Sequence, residues 1–205
     1  MKLVVVDYQM GNIHSIARKL KILGVNYDIS NNPETIIQAD KLILPGVGHF
    51  GKAMQQLRES KLIEVLDDVV LNQKKPILGI CLGMQLMANY SEEGNEKGLG
   101  WIDGQVLRFQ VDDKLRYKIP HTGWNGINIC KNSSINHDLK GHDEFYFVHA
   151  YYFQANDESD ILHKTNYEKE FVSAVQKENI IGVQYHPEKS HETGLKLIKN
   201  FIFEF

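Results

Sequence analysis

A chain of 205 residues, 42% hydrophobic and 24% charged, has the makeup of a globular domain with a sizeable core. A net charge of −3 gives no footprint for nucleic acid, and no apolar run approaches the roughly 20 residues needed to span a membrane. The two cysteines, Cys81 and Cys130, stand in unlike contexts, which argues against a disulfide framework and for a reducing cytoplasm.

The first half alternates strand and helix signals. Residues 2–7, "KLVVVD", form a short apolar run closed by Asp7, as in a buried strand and unlike a signal peptide. Residues 12–24 place Ile13, Ile16, Ala17, Leu20 and Leu23 on one helical face before Gly24. A strand at 25–30, a short helix from Pro33 to 39 and a strand at 41–46 follow. Residues 50–73 read as helix in one or two pieces, 76–81 as a fourth strand, and "MQLMANY" as the start of another helix. Continuous apolar strands separated by helices imply a parallel sheet covered on both faces.

The second half is strand-like at 104–109, 124–130, 145–153, 170–176 and 179–186, with Lys177-Glu178 as a tight hairpin turn. Cys130 is expected to be a buried strand residue, 131–144 a polar surface connection, and 191–205 a closing helix. Without a linker, repeat or low-complexity segment, residues 1–205 read as one α/β domain: a mostly parallel central sheet, helices on both faces, and an added antiparallel strand region. Asp7–Asn12, Pro45–Gly48, Cys81 and His186 all fall at strand ends, where open α/β sheets gather ligands.

Gly79-Ile80-Cys81-Leu82-Gly83 has the G-x-nucleophile-x-G pattern of a strand-to-helix elbow. Alone, it leaves Cys81 between a buried thiol and a nucleophile, because free cysteines are among the most buried residue types. A helix start beneath the sulfur would favour the thiolate, and the Leu82 N–H would face an oxyanion. "PGVGHF" (45–50) is a loop whose N–H groups can line an anion site and supply a second oxyanion donor; alone it reads as an ordinary turn. "QYHPEKS" (184–190) offers His186 as a base, with Glu188 to fix its tautomer. The remaining histidines read as surface or locally bonded, and no Cys/His set has zinc spacing, so neither metal nor cofactor is expected.

Together these pieces resemble the class I (triad) glutamine amidotransferases. "PGVGHF", "GICLGMQ", "YSEEG", "GLGWI", "IPHTGWN", "FYFVHAYY" and "QYHPEKS" occur in the family's order over nearly the whole chain. "DYQMGN", "IPHTGWN" and "HPEKS" are similar, more narrowly, to glutaminase subunits of imidazole glycerol phosphate synthases in histidine biosynthesis. The resemblance implies the family's three-layer fold and the hydrolysis of L-glutamine to glutamate and ammonia. Cys81 would form a γ-glutamyl thioester, with His186 as base then acid and Glu188 orienting it. Val47, Gly48 and Leu82 would form the oxyanion hole, and the Val47–Gly48 segment would reorient once a partner binds substrate. Gly46, Gln85, Glu93, His149, Ala150 and Tyr151 would hold the glutamine. Asn12, Pro120, Trp124 and Lys189 would meet a (β/α)8-barrel cyclase subunit of HisF type in a heterodimer through which ammonia is channelled. Trp124 is expected on an exposed interface loop.

The chain departs from that pattern at Gln9, Ala150 and Thr122, where the family often has a small residue, a hydroxyl and a methionine. Contacts at position 150 would be through backbone only. Two other readings stand beside the first: the same chemistry feeding a synthase of a bacterial surface-sugar pathway, and a binding or regulatory protein without turnover.

Overall fold

The computed structural model describes residues 1–205. In chain order the elements are β1 (Leu3–Val6), α1 (Ile13–Ile22), β2 (Tyr27–Ser30), α2 (Pro33–Ile37), β3 (Lys41–Gly46), α3 (Phe50–Glu59), α4 (Leu62–Asp67), β4 (Ile77–Cys81) and α5 (Leu82–Gln85). They continue as β5 (Tyr90–Ser91), β6 (Glu96–Lys97), β7 (Gly104–Arg108), β8 (His121–Gly126), β9 (Asn128–Ile129), β10 (Glu144–His149), β11 (Tyr151–Ala155), β12 (Ile161–Tyr167), β13 (Lys169–Lys177), β14 (Ile180–Val183) and α6 (His191–Phe203).

One sheet runs in the order β2-β1-β3-β4-β14-β13-β11-β7-β5-β6, with β12 and β9 branching from β13. Pairing from β2 through to β14 is parallel, and the added region is mostly antiparallel. β1, β3, β4 and β14 are buried along nearly their whole length, as strands covered on both faces must be. Successive side chains enter opposite cores. Leu3, Val5 and Ile43 pack with Ile16, Leu20, Leu197 and Phe201 of α1 and α6. Val4, Val6 and Leu44 pack with Ile36, Phe50, Leu57 and Leu66 of α2 to α4. This period of two generates the three layers. No helix is long and apolar enough to cross a membrane.

The chain leaves β1 for β2 on one side and returns to β3 on the other. The carboxyl ends of β1 and β3 therefore diverge, leaving a crevice between the loops that follow them. β4 ends beside it, with Gly46 paired to Cys81.

Several expectations need correction. The helix after Cys81 is only the four residues of α5. It stops because the carbonyls of Leu86, Met87 and Ala88, which a longer helix would use, accept N–H bonds from Leu99, Trp101, Ile102 and Gly100 instead. The apolar run 145–153 divides at Ala150: β10 pairs with β8 in a separate two-stranded sheet, and β11 joins the large one. Trp124 lies within β8, not on a loop, and is 45% exposed. Cys130 is exposed, because β9 is a two-residue branch strand that ends just before it. The connection 131–144 carries buried Ile135 and Leu139 into the α6 side of the core. β12 appears where no strand is expected.

Candidate active site

Three glycines let two loops meet backbone to backbone. A Cβ on Gly83 would stand 1.9 Å from the Leu44 carbonyl oxygen, and one on Gly46 would stand 2.6 Å from the Gly83 nitrogen. A Cβ on Gly79 would meet Gly83 at 2.7 Å. The start of α5 can therefore press onto the end of β3 only as glycine. The turn forces Cys81 to φ 54°, ψ −108°, a conformation that side-chain-bearing residues rarely hold. Cys81 is nearly buried, with its sulfur at the start of α5 and at the crevice.

β14 delivers the opposing groups. His186 donates its backbone N–H to the Tyr146 carbonyl at 2.8 Å, and Pro187–Lys189 forms one turn of 3-10 helix. That turn brings Glu188 Oε1 to 2.7 Å from His186 Nδ1, with both side chains almost completely buried. Nδ1 must carry the proton toward the carboxylate, so Nε2 is the nitrogen left for chemistry, and it has no hydrogen-bond partner. Burial opposes the imidazolium, but the Cys81 thiolate and Glu188 together outweigh it and hold the His186 pKa up at about 10. His186 is therefore held as the imidazolium beside the Cys81 sulfur.

A cavity of about 680 Å³ opens over this pair. It is lined by Asn12, Val47, Gly48, Cys81, Leu82, Gln85, Glu93, Pro120, His149, Ala150, Tyr151, His186 and Lys189. Of the residues expected at the site, only Gly46, Glu188 and Trp124 lie off its wall: Gly46 and Glu188 are behind it, and Trp124 is outside, stacked on His191 at 4.9 Å. Lys189 Nζ sits 5.6 Å from the Tyr146 ring centroid. A neighbouring open groove of about 860 Å³ shares Gly11, Val47 and Gly48 and runs along α3 past Lys52 and Arg58.

Two wall residues have other duties. Glu93 Oε2 accepts the Phe50 N–H at 2.8 Å, capping α3. The Val47 N–H is donated to the Met10 carbonyl at 2.6 Å, so in this conformation it is not free to face an oxyanion. Leu82 opens α5, where N–H groups lack partners within the helix.

The sequence reading missed three buried polar residues. Gln184 is fully buried and donates Nε2 to Cys81 Sγ at 3.6 Å. Its signal was its spacing, since residues i and i+2 of a strand share a face and Gln184 precedes His186 by two. His121 contacts His149 at 3.1 Å, and burial lowers their pKa values to about 4 and 3, leaving both neutral. His163 bonds Tyr185 and Asn136 in the core, far from water, and is likewise held low, at about 3. No group of three or more His, Cys, Asp or Glu side chains is arranged to hold a metal ion.

The class-I glutamine amidotransferase family model matches residues 4–205. Imidazole glycerol phosphate synthase subunit HisH 2 of Methanococcus maripaludis is 48% identical over 98% of both chains. Subunit HisH 2 of Pseudomonas aeruginosa is 46% identical, again over 98% of each. A solved glutamine amidotransferase structure superposes with a TM-score of 0.75 over 97% of this chain and 96% of its own, at 19% identity, a likeness of fold alone. With a matching family model over almost its entire length and near-half identity to full-length HisH subunits, the chain belongs to the class-I glutamine amidotransferases.

Proposed function

We propose that residues 1–205 form one glutaminase domain, the HisH-type subunit of an imidazole glycerol phosphate synthase. The observation that carries this reading is the strained Cys81 facing a His186 oriented by Glu188 at 2.7 Å. The Cys81 thiolate attacks the side-chain amide carbon of L-glutamine. The tetrahedral oxyanion is held by Leu82 N–H and, after the loop turns, by N–H groups of Val47–Gly48. The imidazolium of His186 protonates the departing nitrogen, ammonia leaves, and a γ-glutamyl thioester remains. Thioester formation removes the negative sulfur that raised the His186 pKa. The neutral imidazole then takes a proton from water, which attacks the thioester and releases glutamate.

Gln85, Glu93 and the backbone of His149–Tyr151 line the pocket for the amino-acid end of glutamine, backed by Gly46. Asn12, Pro120 and Lys189 on the cavity wall, with Trp124 outside it, fit a docked cyclase of HisF type, which receives ammonia before water can protonate it. Cys81→Ala in the reconstituted complex tests the mechanism. Glutamine-dependent synthesis should vanish while synthesis from added ammonia persists; retained glutaminase turnover would sink the reading.

A second reading keeps the chemistry and changes the acceptor to a surface-sugar synthase. Both relatives named above are numbered HisH 2, and Gln9 and Thr122 depart from the family pattern. Growth of a histidine auxotroph lacking this subunit, once supplied with the chain, favours the first; failure with the chain present in native form favours the second.

A further inference from the structure

A single backbone oxygen fixes the orientation of a chain of polar groups that ends at the nucleophile. The Tyr151 carbonyl can only accept. It takes His149 Nδ1 at 2.7 Å and Gln85 Nε2 at 3.2 Å. The amino end of Gln85 is thereby assigned, and its second hydrogen points at Gln184, 2.9 Å away. Gln184 must answer with its oxygen. The amide of Gln184 has only one other end, and that end, Nε2, lies 3.6 Å from Cys81 Sγ. On the other arm, the bare Nε2 of His149 takes the Nδ1–H of His121 at 3.1 Å, and Asn125 approaches the far nitrogen of His121 at 3.4 Å.

We propose that Gln184 is a positioning residue that donates an oriented N–H to the Cys81 thiolate, its amide locked in that sense by Gln85 and the Tyr151 carbonyl. This rests on the reading of Cys81 as the nucleophile. Gln184 is wholly buried, and its own backbone N–H is tied to the Ser173 carbonyl at 2.9 Å, so the amide has little freedom to turn away. A donor to sulfur stabilises the charged form over the neutral thiol, and a charged acceptor makes the bond stronger than a neutral pair would. The same amide joins the pocket wall to the nucleophile. Gln85 also lines the cavity, so one hydrogen-bonded chain runs from the substrate's wall to the sulfur.

The test uses the full chain carrying Cys130→Ser, so that Cys81 is the only thiol. Gln184→Met keeps the length of the side chain and removes the donor; Gln184→Leu is a second apolar variant should the first fold poorly. The rate of Cys81 alkylation by iodoacetamide is followed against pH, beside kcat and KM for glutamine in the partner complex. The midpoint of alkylation should rise by about one pH unit, and kcat should fall about tenfold with KM within about threefold. An unchanged midpoint in a variant with native near-ultraviolet circular dichroism overturns the proposal. Alkylation does not depend on turnover, so an active Cys81→Ala enzyme would refute the glutaminase reading separately from the Gln184 bond.

Discussion

Glu188 Oε1 stands 2.7 Å from His186 Nδ1, both side chains are almost completely buried, and no other protein group bonds either of their free ends. The carboxylate thus does two things at once: it fixes the tautomer and it helps to keep the ring charged. Glu188→Gln retains an acceptor oxygen but loses the charge. We expect kcat to fall roughly tenfold or more with little change in KM, and the upper pH limb of the glutaminase profile to move down. An upper limb that stays in place would mean that Glu188 is not what holds the proton on His186.

Gly83 tests the elbow. An alanine methyl there must displace the Leu44 carbonyl, which belongs to a central strand and cannot yield cheaply. Gly83→Ala should cost about 3 kcal/mol or more. In a chain of this size that corresponds to a drop of roughly 6–12 °C in the thermal midpoint. Gly24→Ala is the comparison, since nothing stands within 4 Å of its added Cβ and only its φ of +68° resists; it should cost about 1 kcal/mol.

The Val47 N–H bond to Met10 implies a low basal rate. The isolated chain should release ammonia from glutamine slowly, because one oxyanion donor is turned away. Adding the cyclase with its acceptor substrate should raise kcat about a hundredfold, the typical worth of such a donor. A chain fully active alone would show that this loop does not limit turnover.

Acid should unfold the protein through its buried imidazoles. His121, His149 and His163 titrate near 4, 3 and 3 in the folded chain and near ~6.5 when unfolded. Below that value the unfolded state binds the extra protons, so stability falls as pH drops from about 6.5 toward 4. Each buried imidazole contributes up to about 1.4 kcal/mol per pH unit, less for His121, which is not wholly shielded. His186 is raised instead: it is protonated in the folded chain throughout, opposes this slope near pH 6.5, where the unfolded imidazole is only about half protonated, and adds none by about pH 5. Urea titrations between pH 6.5 and 5 measure the slope, and His163→Gln should lower it by about half a proton at pH 6.5, rising toward one at pH 5.

The parallel half of the fold was legible because β1, β3 and β4 are apolar without interruption and the helix starts and stops have local signals. The proposed triad could be picked out for a different reason: its residues sit in compact runs at strand ends. What escaped were polar residues whose burial depends on distant partners. β12 reads "ILHKTNY", and its His163 and Thr165 look solvated until Tyr185, Asn136 and Ser173 bond them. Gln184 looks like a lone polar interruption of an apolar strand until Gln85, a hundred positions away in rough terms, supplies its donor. Cys130 was misjudged because an apolar neighbour such as Ile129 is only half-buried on so short a strand.

The tether between His186 and Tyr146 gives the base a second support. The sulfur and the base both follow strands of the large sheet, β4 and β14, but the base is also tied to β10, where Tyr146 donates its N–H to Ser190 Oγ at 3.0 Å. Across that small ribbon, directly opposite Tyr146, stands Trp124, open to solvent. A load applied to the indole from outside therefore reaches the backbone that holds the imidazole without first crossing the large sheet that holds the thiolate. The base thus has a second anchor that the nucleophile lacks, and the outer side of that anchor, Trp124, is open to solvent.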